Sequence, residues 1–418
     1  MIAIQEALDR VLATCGLMPC HEVSLLESLG RVSGQTITSP EQVPSFDSAA
    51  MDGFAVRAAD LAEGRRDFPV VVEVPAGTWI EERVPSGCAA RIMTGAPLPP
   101  GVDTVIPVEA TRLDGRTVRI EDSVPMSSGV NIRRAGEDLD VGDVLVEAGS
   151  VMGPAEVGAL VSVGLVSTAV VHRPRVAIIA TGSELVAPGQ TLKPGLIRNS
   201  NSFTAYGQVQ EAGADPILLG IAPDDRDETR RLMSAALAQD VVITSGGVSV
   251  GEYDFVKEIQ DELGVERRFW GVSMKPGKPL AFGVHGDTLV FGVPGNPVAA
   301  MVCVELFVRP ALLALQGRRD LYRPYVHAVA LEDLRGTGQR TELRRCRLSR
   351  RGREWVFATT GPQGSGILRS MVQADGLAIV PPNLVAVSAG DVLPVMLLEG
   401  RAEERPPFSG MDGESVHG

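Results

Sequence analysis

The sequence predicts a multidomain α/β and β protein, with a doubly wound α/β domain, an inserted β module, a discontinuous helical domain and a C-terminal β-barrel. Three observations predict it. From Pro174 to about residue 318, near-continuous apolar runs alternate with amphipathic segments, as in a parallel sheet covered on both faces. On either side the pattern changes to short alternating runs separated by Gly and Pro turns. A chain of 418 residues also exceeds what one core usually organises.

Residues 3–15 place Ile4, Ala7, Leu8, Val11 and Leu12 on one helical face. Ser24 to Leu29 reads as a second short helix, stopped by Gly30 at a C-cap position. From Pro40 to about Asp138 short strands dominate, among them Val70–Val74 and Thr104–Val108. Val151 to Leu165 reads as helix again and can return beside the first helices. The expected helical domain is therefore 1–40 plus 139–172, with the β module inserted at 41–138.

The α/β domain is expected at 173–318. Its strands are Arg175–Ala180, Asp215–Gly220, Asp240–Thr244 and Thr288–Gly292. Its helices are Ser202–Gly213, Asp225–Gln239 and the segment after Asn296. Residues 319–401 revert to short strands and predict the barrel. The tail 402–418, with Pro406-Pro407 and Gly-Ser-rich text, is expected to be disordered.

Composition narrows the function. Apolar residues make up 44% and charged residues 22%, while aromatics are only 4%. The cores must then be built from Val, Leu, Ala and Ile. A net charge of −13 argues against nucleic acid or a membrane surface as partner. The five cysteines (Cys15, Cys20, Cys88, Cys303, Cys346) form no Cys-x-x-Cys, which points away from a disulfide framework or zinc site. Charges within the first ten residues are unlike a signal peptide, and no uninterrupted apolar run approaches a membrane span. A cytoplasmic location is expected. The histidines (21, 172, 285, 327, 417) are scattered, so no nucleophilic triad suggests itself.

The chemistry gathers in three turns: Thr244-Ser-Gly-Gly-Val-Ser-Val-Gly-Glu-Tyr-Asp254, Lys275-Pro-Gly-Lys278 and Phe291-Gly-Val-Pro-Gly-Asn-Pro297. In an open α/β sheet, ligands sit outside the carboxyl ends of the strands, where the loops after Ala180, Thr244 and Gly292 would fall. Gly246 and Gly247 let backbone approach a phosphate, with Ser245 and Ser249 beside them. Asn296 and Pro297 start a helix, whose N–H groups face an anion. Lys275 and Lys278 concentrate positive charge in an acidic chain. Glu184 and Asp254 offer oxygens to a hard cation, and Asp224-Asp225 offers either the same or a helix N-cap. In the β module, Asp52, Thr94, Arg133 and Asp138 lie beside glycines and, on the residues alone, read as turn positions.

Together, these motifs resemble the molybdopterin molybdenumtransferase family, known as MoeA in bacteria and as the E domain of gephyrin in animals. The resemblance spans about residues 1–401. It rests on Ser48-Ala-Ala-Met-Asp-Gly-Phe-Ala55, Arg91-Ile-Met-Thr-Gly-Ala96, Asn131-Ile-Arg-Arg-Ala-Gly-Glu-Asp138, Ser245-Gly-Gly-Val-Ser-Val-Gly251, Lys275-Pro-Gly-Lys-Pro279 and Pro294-Gly-Asn-Pro297. It implies a molybdopterin-binding α/β domain, an elongated homodimer, and insertion of molybdate into adenylated molybdopterin with release of AMP and a need for Mg²⁺. It raises Asp52, Thr94, Arg133 and Asp138 to site residues. Gly246, Gly247 and Ser249 would hold the pterin phosphate, with Asp254 near it. Lys275, Lys278, Pro294 and Ser365 would frame molybdate. Arg345 or Arg340 would reach in from the C-terminal domain.

Asp52, Asp138, Glu184 and Asp254 would then position Mg²⁺ on the adenylate phosphates. Ser183 stands where many relatives carry Asp, next to an intact Glu184. The pathway adenylyltransferase and apo-molybdoenzymes are the further partners implied. Two alternatives remain: the adenylyltransferase itself, which works as the α/β domain alone, and a non-catalytic pterin-binding scaffold. The flanking β motifs favour the transferase over the first. The carboxylates and lysines favour catalysis over the second.

Overall fold

The structure is a computed structural model that describes residues 1–124, 127–223, 225–246 and 255–398. It divides into two compact units, 21–170 and 1–20 with 171–418.

The larger unit holds the α/β sheet. Its strand order is Asp215–Ala222, Arg175–Thr181, Val241–Ser245, Thr288–Val293, Ala281–His285, Glu266–Trp270. The first four are parallel. Alternation along each strand sends side chains to two cores. Val176, Ile178, Val241, Ile243, Leu289 and Phe291 face one side with the helices Asn201–Glu211 and Pro297–Cys303. Ala177, Ile179, Val242 and Val290 face the other, with the helices Arg226–Ala236 and Phe255–Glu262. The sheet is doubly wound, as expected.

Beside the four parallel strands, the last two strands of the sheet run antiparallel. A two-residue turn at Gly286-Asp287 joins Ala281–His285 to Thr288–Val293, and a link that short only permits a hairpin. Phe269, Phe282 and Phe291 stack across this part, with ring centroids 5.6 and 4.9 Å apart.

The first helix, Ile4–Leu12, buries Ala7, Leu8 and Val11 in the α/β core. The helical run Pro297–Leu315 is long and apolar enough to cross a membrane by length and composition, although Glu305 and Arg309 interrupt it. It is 78% buried inside the protein, which accounts for its apolar character.

The C-terminal strands close into a five-stranded barrel: Thr341–Arg351, Glu354–Thr359, Tyr325–Ala330, Val392–Leu397 and Gly376–Val380, the last pairing back onto the first. Ala328, Cys346, Phe357, Ala378 and Val395 fill it. A two-residue strand, Met274–Lys275, adds in parallel to Thr341–Arg351.

In the smaller unit, six strands form one sheet in the order Thr104–Pro107, Gly53–Val56, Ala89–Ile92, Asp67–Val74, Thr117–Ile120, Thr111–Asp114. Phe54 and Val56 enter one core and Ala55 the other. The expected helix at Ser24–Leu29 is corrected to a turn that follows the strand Cys20–Ser24. The Glu27 carboxylate accepts from both the backbone N–H and the hydroxyl of Ser24, which closes one turn. Gly30, with φ +71°, then ends it.

Candidate functional site

The parallel register sets Ala180 opposite Ser245, and Ser245 opposite Val293, so the three loops leave the sheet level with one another. Ser245 is 5% exposed, and its Oγ accepts from Asn201 Nδ2 at 2.7 Å. The same amide nitrogen donates to the Gly295 carbonyl at 2.8 Å, so Asn201 ties the second loop to the third. Thr181 Oγ1 donates to the Ser245 carbonyl at 3.3 Å, and the Gly246 N–H donates to the Val293 carbonyl at 3.2 Å.

Gly246 has φ +93°, and a Cβ there would lie 2.6 Å from the Thr181 carbonyl oxygen and 2.8 Å from Thr181 Oγ1. Only glycine fits. Asn201 was missed from the sequence; the polar run Arg198-Asn-Ser-Asn201 ahead of a helix was the available signal.

Asn296 is the N-cap of Pro297–Cys303 and Pro297 its first residue, as expected. Pro294 is buried and Asn296 exposed. The Val298 N–H, one of the helix's otherwise free donors, is taken by the Ser365 carbonyl at 3.0 Å. Ser365 thus reaches the helix start through its backbone.

The Lys275-Pro-Gly-Lys278 turn packs on the other end of that helix, about 9 Å along its axis. Gly277 has φ +104°, and a Cβ there would come 2.7 Å from Met274 Cε and 2.9 Å from Cys303 Sγ. Lys275 and Lys278 are both exposed. Lys275 Nζ lies 3.7 Å from the Glu342 carboxylate.

Arg345 is 1% exposed, and its side chain is held by partners within the larger unit. Nε donates to Ser370 Oγ at 3.0 Å, and Nη2 donates to the Gly364 carbonyl at 3.0 Å. Its backbone N–H donates to Gln363 Oε1 at 2.9 Å. Burial, with the like charge of Arg344, pushes its pKa down to about 10, which leaves it charged at neutral pH. Arg345 fastens the loop that carries Ser365. Arg340 is half-buried.

Within the smaller unit the three β-module motifs meet. Ala49 N–H donates to the Ala96 carbonyl, Gly95 N–H to the Ala49 carbonyl, and Ala50 N–H to the Asn131 carbonyl. Arg133 stands opposite Ser48 in a short antiparallel pair and is exposed. Asp52 Oδ1 accepts both the N–H and the hydroxyl of Thr94, each at 2.7 Å, and these bonds hold its carboxyl below the ordinary value. Gly53 is required next to it, because a Cβ there would lie 1.9 Å from the Ile106 carbonyl oxygen. Asp138 is exposed and donates its N–H to the Val43 carbonyl at 3.0 Å.

For a cation, Glu184 offers an exposed carboxylate folded over Gly182, with hard oxygen donors of the kind Mg²⁺ takes. Among the described residues no three acidic, His or Cys side chains cluster as metal ligands. Asp224, Gly247, Ser249 and Asp254 lie outside the described residues. Asp225 is a helix N-cap, its carboxylate accepting the Glu228 N–H at 2.8 Å.

Glycine loops aligned on the carboxyl edge of a doubly wound sheet, in a chain that also carries a barrel and a β module, define a multidomain α/β protein of the ligand-binding kind. Three family models match it. They are the MoeA N-terminal region (domain I and II) over 2–164, a probable molybdopterin binding domain over 177–314, and the MoeA C-terminal region (domain IV) over 327–398. Molybdopterin molybdenumtransferase 2 of Mycobacterium tuberculosis is 37% identical, over 94% of this chain and 99% of that one. The molybdopterin molybdenumtransferase of Haemophilus influenzae is 36% identical, over 94% and 98%. The solved molybdopterin biosynthesis MoeA protein from Pyrococcus horikosii superposes with TM-score 0.82 at 31% identity, over 96% of this chain and all of that one. The chain belongs to the molybdopterin molybdenumtransferase family, and the resemblance read from its motifs holds.

Proposed function

We propose that the chain inserts molybdate into adenylated molybdopterin, releasing AMP and giving molybdenum cofactor. The observation that carries this reading is the meeting of Ser245, Gly246 and Gly295 around Asn201 at the start of Pro297–Cys303, with the two-lysine turn packed on the same helix. Gly246 brings backbone close to a phosphate, and the Ser245 hydroxyl, held by Asn201, is oriented toward the same place. Gly247 and Ser249 extend that loop in the proposal. Lys275 and Lys278 hold the molybdate oxyanion, between Pro294 and the Ser365 loop that Arg345 fastens.

Releasing AMP breaks the phosphoanhydride of the adenylate. The residues' task is to offset the negative charge gathered there, with most of the catalysis coming from prearranged cations and N–H groups. Mg²⁺, held by Glu184 with Asp224 and Asp254, would supply charge neutralisation on the phosphates. Asp52, Thr94, Arg133 and Asp138 serve the adenylate in the homodimer that this reading carries with it, and a cytoplasmic location goes with it.

The test is AMP release from adenylated molybdopterin by the purified chain, with molybdate and Mg²⁺ each added or omitted. Release that depends on both, with active cofactor formed, supports the reading. Tight binding without release would leave a pterin-binding carrier.

A further inference from the structure

The geometry points to Glu342 as the residue that positions Lys275 for its oxyanion, an inference that rests on the molybdate-binding reading of Lys275 above. Glu342 lies directly opposite Lys275 in the parallel pairing of Met274–Lys275 with Thr341–Arg351. Its side chain is 1% exposed. A carboxylate that deep is costly unless it is paired and hydrogen-bonded. Oε1 accepts the Thr337 N–H at 2.6 Å. Oε2 meets the Arg344 guanidinium and faces Lys275 Nζ at 3.7 Å. Arg344 is itself anchored, donating to the Arg335 carbonyl at 2.6 Å.

This arrangement suits a lysine that has to receive an anion. At 3.7 Å the ammonium is attracted without engaging an N–H in a hydrogen bond, so its three donors stay available. The Lys275 side chain is 45% exposed and would otherwise sample many rotamers, whose loss weakens binding. Glu342 narrows that set before the oxyanion arrives. The three side chains Arg344, Glu342 and Lys275 keep a net positive charge, so the buried carboxylate orients the site without cancelling it. Glu342 is a positioning residue, acting on molybdate through Lys275.

The substitution Glu342→Gln keeps an oxygen for the Thr337 N–H and removes the charge. In the full chain, the KM for molybdate should rise roughly fivefold, as expected for one ion pair at the edge of solvent. The kcat and the KM for adenylated molybdopterin should change by less than about twofold. Glu342→Asp should recover part of the molybdate KM. A molybdate KM equal to the unsubstituted protein's, or kcat and both KM values worsening together with a lower Tm, would overturn the proposal.

A second readout needs no turnover. Acylation of Lys275 relative to Lys278 by an amine-reactive ester, followed by fragment mass spectrometry, should increase several-fold in Glu342→Gln with Lys278 unchanged. An unchanged ratio sinks the proposal. If the ratio moves while the unsubstituted protein shows no molybdate-dependent release, the pairing stands and the molybdate reading of the site falls.

Discussion

Thr94 gives both of its donors, the backbone N–H and the hydroxyl, to a single oxygen of Asp52, each at 2.7 Å. The two residues belong to different motifs of the β module, and this double bond fixes one against the other. The carboxylate keeps its second oxygen for other partners.

The bond pair has a pH signature. The backbone bond from Thr94, then its hydroxyl bond, depress the Asp52 pKa below its ordinary 3.8 in the folded state. A depressed carboxyl stabilises the fold above the unfolded pKa, and that contribution is lost as pH falls through the folded value. Thr94→Val, which removes only the hydroxyl, should move the Asp52 titration upward, as read by carboxyl-carbon NMR between about pH 2 and 5. No movement would mean that the hydroxyl bond has no weight.

Asn201→Ala should unlink Ser245 from Gly295. Losing two bonds from one amide should cost about 1–2 kcal/mol in thermal or urea unfolding, with the fold retained. The KM for adenylated molybdopterin should rise by more than stability alone explains. Unaltered binding would take Asn201 out of the site.

Gly246→Ala should act through the backbone. The new Cβ would strike the Thr181 carbonyl oxygen, and φ +93° is hostile to any side chain. A destabilisation of about 1–3 kcal/mol is expected, with AMP release reduced more strongly than the global fold. Full activity would show that the loop tolerates another path.

Arg345→Lys retains charge but cannot bond Ser370 and Gly364 in the same fork. Roughly 2–3 kcal/mol of stability should be lost, since buried partners are left unmade. Hydrogen exchange should quicken in residues 361–366. If exchange rises there while AMP release is unchanged, the loop that carries Ser365 is not needed for turnover.

Much of this was legible in the sequence, and the exceptions have physical causes. The strands Arg175–Thr181 and Val241–Ser245 announced themselves as apolar runs because both of their faces are covered. The antiparallel pair at the sheet's end did not, since Glu266–Trp270 mixes charge with aromatics and has only one residue, Phe269, fully inside. Ser24–Leu29 carried helix-start chemistry, but a glycine with positive φ cut it off after one turn. Asn201 stayed hidden because its two partners, Ser245 and Gly295, are 44 and 94 residues away and meet it only in the folded sheet. Arg345 was named only through the family resemblance, and a basic strand does not itself say which of its side chains point inward. Only the barrel's closure decides that.

The strand pairing of Lys275 with Glu342 and the Ser365 cap on Val298 join the α/β region to the barrel at two points, each close to proposed chemistry. Residues 325–398 are therefore not a cassette that could be traded freely among relatives. A chimera that exchanged the barrel would bring a foreign neighbour for the lysine and a foreign lid for the helix start. Drift in either region is expected to need a matching change in the other, so that the two halves descend as a single heritable unit.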